Sequence, residues 1–269
     1  MRKSVKKMAA LCLASAVMSF GVSMGTYADT AGPGAGLPET RNTTIHGGAS
    51  GPDGGFGSQG TALEDMTAVG LDVSIAEITG NVEIAIAAAP GSPDSYGIAY
   101  PKTVYRVTGD GGDGWIQIAY DGHLAYLDGN SGQVTVKNTW DIPKADESRA
   151  EIIKLAMNLL GSRYQMGGVD PASGFDCSGF VGYLMKNASG IELPRTSREQ
   201  ACQGMDRAAD ALRVGDLIAF GSSLDTVSHI GVYIGGNRMI HGDGTGKGIA
   251  ICVWNDRRDI IRIANVLGD

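Results

Sequence analysis

Hydrophobic periodicity changes from strand-like to helical at Ile142, Pro143 and Lys144, and the change sets what can fold on either side. Before it, from about Thr61 to Trp140, short β-forming runs (VEIAIAA, TVYRVTG, WIQIAY, HLAYLDG, QVTVKN) are separated by the turn formers GSPDS, GDGGDG and DG. Short strands at this spacing predict a small all-β barrel or sandwich over residues 61–140. Trp115 to Tyr120, a turn at Asp121 and Gly122, then Leu124 and Tyr126 read as a hairpin. After the break, Ile152, Ile153, Leu155, Ala156, Leu159 and Leu160 recur at helical spacing, with Gly161 placed to end the helix. A Gly-rich loop and a second helical run opening at Cys177 follow. Beyond Leu212 come the strand-like runs DLIAF, HIGVYIG, RMIHG, IAICVW and IIRIANVL. Helices first and an antiparallel sheet after predict an α+β domain over 146–269.

The amino terminus has a different character. Arg2, Lys3, Lys6 and Lys7 precede an apolar stretch from Met8 to about Met24, then the small-residue pattern Thr26, Tyr27, Ala28. This is the layout of a secretory signal peptide, 1–28, too short and too diluted by Ser and Gly for a membrane span. Cys12 follows Leu11, not the small residue a lipid-attachment site wants. The next stretch, 29–60, is rich in Gly, Pro, Ser and Thr without apolar periodicity and reads as a flexible linker. Loss of 1–28 removes four cations and no anions, so the net charge of −7 becomes −11. That argues against nucleic acid and anionic lipid as partners, and no stable membrane insertion is expected after removal of the signal. The expected location is secreted, extracellular or wall-associated. Three cysteines remain, Cys177, Cys202 and Cys252, an odd number for an oxidising compartment.

Chemistry concentrates at FDCSGF. A cysteine attacks a carbonyl as thiolate, and its pKa falls at a helix N-terminus or beside an imidazolium. Asp176 is a good N-cap, which puts Cys177 at the first helical position, where free N–H groups favour negative charge and could hold an oxyanion. The base must come from four histidines. His46 lies in the linker and His123 in the strand-rich region, leaving His229 and His241. Ile230, Val232 and Ile234 share one face of a strand and His229, Gly231 and Tyr233 the other. Pairing with RMIHG through a loop ending at Asn237 puts Ile240 with the apolar set and His241 on the His229 face. His241 would then orient the His229 imidazole. A zinc site from Cys177, His229 and His241 is the competing reading of the same residues; metal-free catalysis is the expectation. Arg195, Thr196 and Ser197 read as a helix start capped by Thr196 or Ser197 with Gln200 behind it, in preference to a wall of a substrate cleft.

The pieces GSRYQMGG, GFDCSGFVGYL, LPRTSREQ, LRVGDLIAF, SHIGVYIGG and MIHG, in this order, make the region from about Ala150 to Asp269 resemble the NlpC-type cell-wall endopeptidases. These are papain-like cysteine peptidases acting on peptidoglycan stem peptides. GGDGWIQIAYDGHLAYLDG resembles the bacterial Src-homology-3-like domains that accompany cell-wall enzymes, although VEIAIAAAPGSPDS departs from their first strand. The resemblance implies Cys177 as nucleophile, His229 as base and His241 as its orienting partner. It also implies Tyr164 beside the nucleophile, and Asp176 and Ser178 holding a substrate amino group. It implies hydrolysis of the bond between γ-D-glutamate and a diamino acid, diaminopimelate or lysine, in stem peptides or muropeptides, with no cofactor. The alternatives are an inactive wall-binding protein, or a related amidase or acyltransferase with the same triad.

Overall fold

The structure, a computed structural model, describes residues 68–256 and 259–268. The expected signal peptide and linker, with Cys12 and His46, lie outside the described residues.

Seven strands come first: β1 (Ala68–Ile78), β2 (Ile84–Ala87), β3 (Ser95–Ala99), β4 (Val104–Gly112), β5 (Trp115–Tyr120), β6 (His123–Asp128) and β7 (Val134–Pro143). They form one antiparallel sheet in the order β3-β2-β6-β5-β4-β1-β7. The hairpin lies where the sequence placed it, Tyr120 pairing with His123 across Asp121 and Gly122. Strand β7 runs three residues past the expected boundary at 140. Strand β1 was not among the runs singled out in the sequence, for a physical reason. A bulge between Asp72 and Ile75 shifts its register, and both of its faces are buried. Leu71 and Ile75 enter one core and Ala76 and Ile78 another, so its alternation is blurred.

Helix α1 (Ala150–Leu159) follows, ending as Leu160 leaves helical geometry (ψ 129°) and Gly161 takes φ 81°. Two short strands, β8 (Val169–Asp170) and β9 (Gly174–Phe175), lead into α2 (Cys177–Ser189), which stops at Gly190 with φ 71°. Helix α3 (Ser197–Ala201) begins in a reciprocal capping box between Thr196 and Glu199. Gln200, expected to back that cap, is buried instead and donates to the carbonyls of Ser178 and Pro194, at 2.9 Å each. The chain closes with β10 (Met205–Asp206), β11 (Leu217–Gly221), β12 (Val227–Tyr233), β13 (Arg238–Asp243), β14 (Gly248–Val253) and β15 (Ile260–Asn265). These form a second antiparallel sheet, β10-β15-β11-β12-β13-β14. Antiparallel sheets with a few packed helices make an α+β fold.

The two sheets share a core. Leu71, Ile75, Val104, Trp140 and Ile142 from the first pack in one apolar cluster with α1, α2 and the second sheet. Trp140 Nε1 donates to the Ile234 carbonyl at 2.9 Å, and Arg238 pairs with Glu77 at 2.5 Å. A buried ionic knot pins the connecting turn: Arg213 bonds Asp146 at 2.7 Å, and Arg149 donates to the Val214 carbonyl at 2.6 Å beside Asp216. No helix among the described residues is long and apolar enough to cross a membrane.

Candidate active site

The site forms where the start of α2 meets β12 and β13. Asp176 has extended backbone (φ −88°, ψ 178°), and its Oδ1 accepts the Gly179 N–H at 2.7 Å, which caps the helix and places Cys177 at its first position. Strand β13 runs close beneath. A Cβ on Gly242 would sit 3.1 Å from the Cys177 nitrogen and the Asp176 carbonyl carbon, so any larger residue would push strand and helix start apart by a few tenths of an ångström. The β12–β13 ladder pairs Gly231 with His241 and Val232 with Ile240. This is the register that puts Ile240 with the buried Ile230 and Val232 and both histidines on the other face. His229 Nε2 and His241 Nδ1 lie 2.9 Å apart with their rings edge to face, sharing one hydrogen. Phe220, opposite His229 in β11, packs against its ring.

The free thiol differs electrostatically from the sequence expectation. Burial pushes the Cys177 pKa up, and the Asp176 carboxylate adds to the rise; the backbone N–H groups of Ile230, Ser178 and Cys177 itself act in the opposite sense. The helix start therefore supplies donors for a thiolate without keeping one in the resting protein. Deprotonation requires a base at the site.

Asp176, Ser178 and Tyr164 are all brought to the site. Asp176 is 7% exposed, and its two oxygens are heavily used. Oδ1 accepts from Gly179, from the Ser178 hydroxyl (3.2 Å) and from Arg195 (3.1 Å); Oδ2 accepts from the Gly167 N–H (2.9 Å) and from Arg195 (2.6 Å). Arg195 also donates to the Ser178 hydroxyl at 2.9 Å. Burial works to raise the Asp176 pKa, but Arg195 and the Gly179 and Gly167 N–H groups hold it below the usual carboxylate range. Tyr164 packs over Gly244, where a Cβ would lie 3.2 Å from its ring, and its pKa is raised first by burial and then by Cys177, Asp176 and Asp243. The Tyr164 N–H donates to Asp121 Oδ1, in the β5–β6 turn of the other sheet, at 2.8 Å. The sequence singled out Arg195 beside a helix start and Asp121 in a turn, but not their bonds to Asp176 and Tyr164, because neither partnership leaves a local pattern.

A cavity of about 210 Å³ lies between the Pro101–Tyr105 segment and β14, touching His241 and Asp243. Cys177 is not among its lining residues, so geometry at α2 carries more weight for catalysis than the size of this cavity. Cys177, Cys202 and Cys252 form no disulfide. Among the described residues no three His, Cys, Asp or Glu side chains converge in a metal-binding arrangement.

Residues 161–258 match the NlpC/P60 family. A Gamma-D-glutamyl-L-lysine dipeptidyl-peptidase of Bacillus subtilis (strain 168) is 34% identical over 124 residues, covering 45% of this chain and 41% of the relative. A Gamma-DL-glutamyl hydrolase of the same strain is 36% identical over 106 residues, covering 38% and 26%. The Murein DD-endopeptidase MepS/Murein LD-carboxypeptidase of Escherichia coli (strain K12) is 40% identical over 96 residues, covering 36% and 50%. The chain spans half or less of the length of each of these curated relatives. The family match begins at residue 161, after the strand-rich region.

Proposed function

We propose that this protein is a secreted cysteine endopeptidase of peptidoglycan stem peptides, with Cys177 as nucleophile, His229 as base and His241 orienting His229. The observation that carries the reading is a capped, first-position cysteine set against Ile230 and Gly242, the sequence neighbours of a histidine pair whose nitrogens lie 2.9 Å apart. With Nε2 engaged by His241, His229 has Nδ1 to exchange a proton. In this mechanism His229 removes the Cys177 proton, and the sulfur attacks the amide carbonyl. The tetrahedral oxyanion sits against the N–H groups at the start of α2. Collapse breaks the C–N bond, and His229 delivers the proton to the departing amine. Water deprotonated by His229 then cleaves the thioester, releasing the acid and restoring the thiol.

The bond favoured is that between γ-D-glutamate and the diamino acid, supported by the two γ-glutamyl enzymes among the relatives. Tyr164 lines the approach to the nucleophile, and Asp176 and Ser178, beside Arg195, stand where a substrate ammonium would be received. The strand-rich region, which resembles Src-homology-3-like domains in sequence, walls the cleft through the Asp121 turn.

Mass spectrometry of defined muropeptides incubated with the protein and with Cys177→Ala tests the reading. Cleavage between D-glutamate and the diamino acid by the unmodified protein alone is the expected result. Products cut at a D,D bond would move the specificity toward that named for the Escherichia coli relative. Binding of wall material with no cleavage by either protein would replace the enzyme with a wall-binding protein.

A further inference from the structure

We propose that Arg195 is a positioning residue of the Cys177 site: its guanidinium, forked onto Asp176 and Ser178, neutralises the carboxylate beside the nucleophile and keeps the thiolate attainable. The inference rests on the cysteine-peptidase reading and adds to it a residue that touches neither the sulfur nor the scissile bond.

Helix capping alone does not need Arg195. The cap is the 2.7 Å bond from the Gly179 N–H to Asp176 Oδ1, and Oδ2 already accepts from Gly167 at 2.9 Å. Asparagine or serine in place of Asp176 would cap equally well without a charge. The carboxylate instead places a negative charge one residue from the sulfur, and that charge opposes formation of a second. Arg195 offsets it. Its two nitrogens reach both oxygens at 3.1 and 2.6 Å, and a third contact at 2.9 Å fixes the Ser178 hydroxyl. A planar fork can hold this geometry, whereas a lysine ammonium supplies charge without the bidentate fit. Nor is the guanidinium buried scaffold, since its side chain is 44% exposed at the cleft rim against 10% for Asp176. The Asp176 contacts raise the Arg195 pKa against the effect of burial, and negative charge on Cys177 adds to the rise.

The other titratable groups around Cys177 come from each neighbouring element: Tyr164 from the loop before β8, His229 from β12, and His241 and Asp243 from β13. His241 and Asp243 attract each other, and Asp243 is held low by Thr245 against the effect of its own burial. Arg195 is the guanidinium that contacts the capping carboxylate.

The test is the pH dependence of iodoacetamide alkylation of Cys177 in the full chain, followed by peptide mass spectrometry to separate it from Cys202 and Cys252. Arg195→Gln keeps a donor for Asp176 but removes the charge; Arg195→Lys keeps the charge; Asp176→Asn with Arg195→Gln removes both charges while retaining the cap. The expected result is a midpoint about one pH unit higher in Arg195→Gln, equivalent to about tenfold slower alkylation below it. Arg195→Lys should recover most of this, and the double variant should return toward the unmodified protein. An unchanged midpoint in Arg195→Gln overturns the proposal. So does a shift that the double variant fails to reverse, which would mark Arg195 as scaffold. Alkylation needs no peptidoglycan, so failure here is separate from failure to cleave muropeptides.

Discussion

Asp176 shows how much one residue at this site is asked to do. It caps α2, fixes Ser178, anchors Gly167 and holds Arg195, all with two oxygens. These contacts make its folded-state pKa lower than that of the unfolded chain, even though burial acts the other way. The stability they contribute is therefore fully present above the unfolded value, about 4, and is lost as pH falls through the lower folded value. Melting temperatures measured across acid pH should fall more steeply for the unmodified protein than for Asp176→Asn, which should be the less stable of the two at neutral pH. Parallel curves would refute the linkage. The cap itself was legible in the sequence, because Asp before an apolar helical run is a local signal. Its saturation was not, since Arg195 lies 19 residues away and the adjoining Thr196 carried the visible capping pattern. Gly242 is a second case in which the reason is spatial. Adding a methyl group there sets Cβ 3.1 Å from backbone atoms at Asp176 and Cys177 that cannot rotate aside. Gly242→Ala should displace the start of α2 by a few tenths of an ångström and lower kcat/KM on a muropeptide about tenfold or more. Its far-ultraviolet circular dichroism should stay unchanged.

Among the elements, the β5–β6 hairpin is the clearest case of correct local reading with its purpose hidden. Asp121 and Gly122 adopt φ 45° and 79°, the positive pair a two-residue hairpin requires. Beyond making the turn, the Gly122 N–H donates to the Gly161 carbonyl at 2.9 Å, and Asp121 receives the Tyr164 N–H across 43 residues of sequence. The hairpin thus holds the loop that presents Tyr164 to the cleft. Asp121→Gly tolerates the left-handed backbone and deletes only the acceptor, whereas Asp121→Asn keeps an acceptor oxygen. The glycine variant should lose about tenfold in kcat/KM with a melting temperature within a few degrees of the unmodified protein, and the asparagine variant should retain most activity. Equal activity in both would show that Tyr164 needs no support from the first sheet. The β12–β13 pair was more legible. Ile230, Val232, Ile234 and Ile240 must share the buried face, and that condition alone selects the register that brings His229 and His241 together.

At the scale of the whole molecule, the sequence divides into a strand-rich part and a helix-then-strand part, but the core does not respect that division. Periodicity reports which side chains are buried and not what they are buried against, so β1, buried on both faces, gave no clear alternation and no sign that Leu71 and Ile75 serve the second sheet. Trp140 is the most informative probe of this joint core. It is 9% exposed, packs in the cluster that includes α1 and α2, and spends its indole N–H on the Ile234 carbonyl; Arg238 lies 5.9 Å over its ring. Truncation would leave a large cavity and an unmet carbonyl at the seam, a loss of about 3–5 kcal/mol. If the two sheets are one cooperative unit, calorimetry of the unmodified protein should give a single transition whose calorimetric and van't Hoff enthalpies agree. Trp140→Ala should then lower that whole transition, carrying the alkylation of Cys177 with it. Two resolved transitions, with only the earlier one moved by Trp140→Ala, would mean that the sheets fold separately and that the seam merely docks them. The support that Asp121 gives to Tyr164 would then be conditional on docking, and Tyr164 would lose it at temperatures where the second sheet is still folded.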